Sequence, residues 1–169
     1  MTVQAVRLIA AGGFWSVVGT TARAEESNTA ALAVAMKNAT ATLQRGLRIS
    51  KAQGTPISAK FEIENGKLQL KIYTMKGYDF KEVVADPKTG AVTKVEEISD
   101  AMDLNEAIEQ RTAVEKATVP SLAAAEAAVK ANAGARAVSI VPELKNGQAT
   151  AEVTLLAGNT FKKVTEKLD

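Results

Sequence analysis

Five carboxylates crowd one eleven-residue stretch of the chain: Glu96, Glu97, Asp100, Asp103 and Glu106, with no lysine or arginine among them. Hard cations such as Ca²⁺ or a lanthanide take oxygen ligands of this kind, so these five are the candidate metal ligands. The plainer reading is a solvated strand end followed by a helix start, where acids are favoured by the helix dipole. Just upstream, Asp86 to Glu97 spans twelve residues with an acid at each end, the length of an EF-hand loop. Such a loop needs oxygen ligands at its third and fifth positions and glycine at its sixth. Lys88, Gly90 and Ala91 stand there instead, and the flanks alternate as strands, so the EF-hand frame fails.

Other chemistries are excluded by composition. The 169 residues include no histidine and no cysteine, which removes imidazole or thiolate metal sites, a Ser-His-Asp triad and any disulfide scaffold. A base for nucleophilic catalysis would have to be Lys, Asp or Glu. No Gly-rich phosphate loop or dinucleotide fingerprint is present. Catalysis is not expected, and no cofactor is implied. Lys60, Lys67, Lys71, Lys76, Lys81, Lys88 and Lys94 are interleaved with Glu62, Glu64, Asp79 and Glu82. Mixed signs at alternating positions read as a soluble outer face, not a nucleic-acid patch.

The elements that would position these groups repeat. Asn65-Gly66 falls on Asn146-Gly147, Gly77 on Gly158, Phe80 on Phe161, Lys81 on Lys162 and Val83 on Val164, all at one offset of 81. Leu68, Leu70 and Ile72 fall on Ala149, Ala151 and Val153, preserving the alternating face. A shared register of this kind marks an internal repeat. In the first unit Ser27 is placed to cap a helix carrying Leu32, Met36, Ala39, Leu43 and Leu47 on one face. Gly46 allows a bend in it. Strands follow from Ile57, from Leu68, from Tyr78 and from Val92 to Ile98, with Asn-Gly as a two-residue hairpin turn. In the second unit Asp103 and Glu106 have capping-box spacing, Pro120 interrupts, Ser121 recaps, and Leu122 to Ala133 form a helix closed by Gly134. Strands near 136–145, 148–156 and 160–166 complete it. The fold class expected is α+β: two tandem units, each a helix packed on a small antiparallel β-meander, residues 25–99 and 100–169, the second truncated before a fourth strand. An uncovered edge would result, and cover within the chain is favoured over a homodimer.

The run Gly-Tyr-Asp-Phe-Lys-Glu-Val-Val-Ala-Asp-Pro-Lys-Thr-Gly-Ala-Val, 77 to 92, with a helix before it, resembles the PepSY domain of peptidase propeptides and exported bacterial proteins. The resemblance covers about residues 40–98, and Asp86, Thr89 and Gly90 form its most recognisable turn. Residues 117–169 are similar only through the helix, the glycine spacings and Phe-Lys-Lys-Val, with Lys167 where the first unit has Asp86. What the resemblance implies is a helix on a small antiparallel sheet, no catalytic residues, and a binding or inhibitory role in the envelope. The partner would be a protein, such as a peptidase, or an envelope ligand to be sensed. The competing class is a cation-binding protein using the 96–106 carboxylates.

Residues 1–24 read as a signal peptide: Arg7, an apolar stretch from Leu8 to Gly19, and Ala22-Arg23-Ala24 before Glu25. Twelve apolar residues rise about 18 Å as a helix, short of the roughly 30 Å hydrocarbon core, so no permanent membrane anchor is expected. Cleavage after Ala24 would give a periplasmic or secreted chain of 145 residues with 19 bases and 19 acids. That neutral balance gives no field for nucleic acid.

Overall fold

The computed structural model describes residues 22–169; the expected leader falls almost wholly outside them. Four helices and seven strands follow in the order α1 (Ala22–Met36), α2 (Leu43–Ile49), β1 (Thr55–Glu64), β2 (Lys67–Lys76), β3 (Asp79–Ala85), β4 (Val92–Glu97), α3 (Ala101–Lys116), α4 (Ser121–Ala131), β5 (Arg136–Lys145), β6 (Gln148–Ala157) and β7 (Thr160–Lys167). A short 3-10 turn, Ser50–Ala52, extends α2. The class is α+β, with an antiparallel sheet in the order β4-β3-β2-β1-β5-β6-β7.

Both Asn-Gly pairs make their turns with positive φ at each residue, Asn65 at 51° and Asn146 at 53°. Each hairpin is thereby set in register. Phe61 faces Leu70 as Pro142 faces Ala151, and Ile72 faces Val83 as Val153 faces Val164. Even the irregularities coincide at the offset of 81. The β1–β2 register skips Ile57, and the β5–β6 register skips Val138. The two meanders meet at a seam of two residue pairs, Ala59 with Ile140 and Lys60 with Ser139. Ala59 and Ile140 are themselves counterparts at that offset, so a local two-fold relation passes through the seam.

Alternation sends Ala59, Phe61, Leu70, Ile72, Val83, Ile140, Ala151 and Val153 to one face, under Met36, Leu43, Leu47, Ala124 and Ala128. Helices α1, α2 and α4 cover that face. The opposite face carries Ile57, Tyr73 and Phe80, closed by Ala107 of α3 with Leu104 and Val114 beside it. Helix α3 thus crosses the other side of the sheet, over β1, β5 and β6.

Several expectations are corrected. The helix expected from Ser27 through Leu47 is broken after Met36; Ser27 lies inside α1, and Thr42 caps α2 by accepting from Arg45 N at 3.1 Å. Gly46 is no bend. It is packed so closely that a Cβ there would lie 2.8 Å from Leu70 Cδ2. Asp100, not Asp103, caps α3, its Oδ1 accepting from Met102 N at 2.9 Å and Asp103 N at 3.3 Å. Ser121 does not recap α4; its hydroxyl donates to Ile57 O at 2.8 Å, and α4 ends at Ala131. The first meander covers the second at β5, not at β7, which among the described residues pairs with β6 alone. The end of β7 is tied down differently. Leu168 is buried, its N–H donates to Ala149 O at 2.9 Å, and its carbonyl accepts from Thr118 N and Val119 N.

Candidate functional site

The turn at Asp86–Gly90 is a hydrogen-bonded knot. Asp86 Oδ1 accepts from Lys88 N at 2.9 Å, Thr89 N at 2.7 Å and Thr89 Oγ1 at 3.0 Å, while Gly90 N donates to Asp86 O at 2.8 Å. These donors, the Thr89 amide first, hold the Asp86 carboxyl below its ordinary range. Gly90 has φ +70°, and a Cβ there would meet Arg45 Nε at 2.3 Å. Two residues of the turn reach back to the loop before α2: Pro87 O accepts from Ala41 N at 3.0 Å, and Lys88 O accepts from the Thr40 hydroxyl. Asp86, Thr89 and Gly90 shape the turn, and Pro87 and Lys88 fasten the end of β3 to the loop before α2.

The five acidic candidates are dispersed. Glu96 and Glu97 stand on the edge strand β4 opposite Glu82 and Lys81, and Glu96 pairs with Lys94 at 2.7 Å. Asp100 is consumed as the cap of α3. Asp103 is exposed in its first turn, whereas Glu106 is half-buried and accepts from Gln110 Nε2 at 2.8 Å. Among the described residues no three acidic side chains gather as a cation site.

A denser cluster lies where the alternating charges suggested a solvated face. Lys71 is 8% exposed, with Glu62 at 2.8 Å, Glu64 at 3.4 Å and Glu82 at 3.6 Å around its ammonium; Lys60 also holds Glu62 at 2.8 Å. A lysine thus sits among the three carboxylates. Burial opposes its charge, but Glu62 above all, then Glu82 and Glu64, raises its pKa. Burial pushes Glu62 upward as well, yet Lys60 and Lys71 outweigh it and leave that carboxyl lowered. Glu82 is raised by burial that Lys71 does not offset. Glu106 is raised by burial against the pull of Lys60. Tyr73 is raised by burial and by the surrounding acids. The alternation of signs was legible; the helix laid across that face was not.

Arg136 opens β5 and joins the two halves. Its guanidinium donates to Met36 O at 3.1 Å, Ala39 O at 2.7 Å and Ala41 O at 2.8 Å, satisfying the carbonyls freed where α1 breaks. The available signal was an arginine where the first unit has Thr55.

A groove of about 940 Å³ opens between the first meander and the α3–α4 connection, lined by Lys51, Met75, Lys76, Lys81, Val119 and Leu122 among others. No helix of the described residues is long and apolar enough to cross a membrane.

Residues 29–96 match the family model described as "PepSY: Peptidase propeptide and YPEB domain". No curated protein matches the chain. A solved structure described as a "putative lipoprotein" from Clostridium difficile 630 aligns with 70% of this chain and 87% of its own, at 14% identity and a TM-score of 0.32. The matched segment runs from α1 through β4 and includes the knot at Asp86–Gly90. Over residues 29–96 the chain is similar to the PepSY family.

Proposed function

We propose that the protein is a non-catalytic, exported binding protein of PepSY type that restrains a peptidase of the envelope. The observation that carries this reading is the match of residues 29–96 to a family described by peptidase propeptides. The polar residues of its most recognisable turn serve the fold, so recognition falls to the surface around it. Export follows the leader at 1–24, with Glu25 as the expected mature N-terminus by mass spectrometry of the envelope fraction. The protein works as a monomer, its halves joined at β1 and β5.

The test is a protease assay on envelope extract with and without the purified mature chain. Residual peptidase activity should fall in a saturable way, and the inhibited enzyme should co-purify with the chain. Unchanged activity across a full titration would overturn the inhibitory role. Calorimetric titration with Ca²⁺ and La³⁺ should be flat; binding that disappears in Glu96→Gln with Asp100→Asn would replace this reading with the cation-binding one.

A further inference from the structure

The two halves of the molecule treat one corresponding place differently. In the second half, Lys162 Nζ donates to Asn132 Oδ1 at 2.9 Å, and Arg136 binds the Met36–Ala41 segment through three carbonyls. At the offset of 81 these three residues answer to Lys81, Lys51 and Thr55 in the first half. There the acceptor has become a second cation, and the clamping arginine a short threonine. All three line the 940 Å³ groove, which has Lys51, Lys76 and Lys81 on its walls and Met75, Val119 and Leu122 among its apolar lining. None of the three lysines forms an ion pair among the described residues, whereas Glu115, the acid on the rim, is taken by Arg111.

We propose that this groove binds an acidic, extended polypeptide segment of the partner, with a carboxylate received between Lys51 and Lys81 in place of the amide oxygen that Asn132 offers Lys162. The size fits this occupant. Ligand sites run from about 300 to 1,000 Å³, and a groove at the upper end takes several side chains, not one small anion. Apolar lining between the cations favours acids alternating with apolar residues. The proposal rests on the protein-binding reading and names its surface.

The experiment is fluorescence anisotropy of the mature chain with a short fluorescein-labelled peptide of alternating Glu and Leu. Saturable binding is expected, weakening as salt is raised. The double variant Lys51→Gln, Lys81→Gln should lose about tenfold in affinity, as two partly exposed charged contacts are worth. Lys67→Gln with Lys94→Gln, on other strands, should leave it unchanged, and a peptide with Lys for Glu should not bind. Absence of saturation, or an equal loss in the Lys67 and Lys94 variant, would overturn the proposal. Displacement by phosphate as effective as by unlabelled peptide would also overturn it, as a small-anion site. If the double variant still inhibits and co-purifies with the envelope peptidase as well as the parent does, the groove is wrong and the inhibitory reading stands.

Discussion

The two meanders share one backbone plan and very different side-chain settlements. Every registered pair of β1–β2 and β2–β3 recurs 81 residues later, down to the skipped residue. Their polar chemistry does not recur. Lys71 among Glu62, Glu64 and Glu82 answers to Glu152 paired with Lys163 at 2.7 Å, the signs exchanged. The first half ties the end of its third strand with the Asp86–Gly90 knot; the second does so with Leu168, whose carbonyl takes two amides of the α3–α4 connection. Pro87 and Leu168 are counterparts at the same offset, and each accepts from the loop that leads into a helix. Register is set by turns and bulges, which are local. Charge placement answers to what packs on each face, which is not.

The largest effect should come from the clamp that only one half has. Arg136→Met takes the guanidinium donor from Ala39 O and Ala41 O and one of two donors from Met36 O, and should cost about 3 kcal/mol by urea denaturation. Thr55→Ala, at the matching place, should cost less than about 0.5 kcal/mol. Equal losses would erase the distinction drawn between the halves.

Next come the glycines. Gly90→Ala meets both a positive φ and Arg45, and should cost about 2 kcal/mol. Gly158→Ala has a φ of +61° with nothing within 4 Å, so backbone strain alone should cost about 1 kcal/mol. The difference between the two melting curves reads the contact of the knot with α2.

The charge cluster gives the smallest but most specific signal. Glu62→Gln should cost about 1–2 kcal/mol at neutral pH, while Glu82→Gln and Glu106→Gln should be neutral or stabilising. The sign follows from linkage. Glu62 is lowered in the fold, so its stabilisation is present above the ordinary 4.5 and lost as pH falls through its folded value. Glu82 and Glu106 are raised, so the fold gains as pH drops through their folded values toward 4.5. Stability should therefore rise on mild acidification and fall below about pH 4. Glu82→Gln with Glu106→Gln should flatten the rise and leave the fall.

Strands, hairpins and register were legible because Asn-Gly turns and period-2 faces are written locally. The broken first helix was not, since Leu32 to Leu47 keep helical spacing across the gap. The carbonyls freed at the break are met by Arg136, about a hundred residues away in sequence. The cap of α3 was misread by three residues because Asp100 and Asp103 both offer a capping oxygen. Lys71 was misread because its alternation with acids matches a solvated face until α3 is laid over it. Of the candidate site, the Asp86–Gly90 turn was legible as a local Asp-Pro-Lys-Thr-Gly run; the groove rests on residues that become neighbours only through tertiary packing.

The seam carries a kinetic consequence. Nearly all the ladder is hairpin, closed over a few residues, but joining Ala59 to Ile140 closes a loop of 81 residues for two pairs of strand contacts. Chain entropy sets that closure at about 4 kcal/mol, more than two ladder pairs return. The remainder comes from what spans the seam: α3 on one face, with buried Ala107, Gln110 and Ala113, and on the other the shared core under α2 and α4 and the Arg136 clamp. The meanders should thus form early and separately, with docking of the helices across the seam as the late, slow step. In the native protein, amides at Ala59 and Ile140 should exchange by a parting of the two halves well before either hairpin unzips.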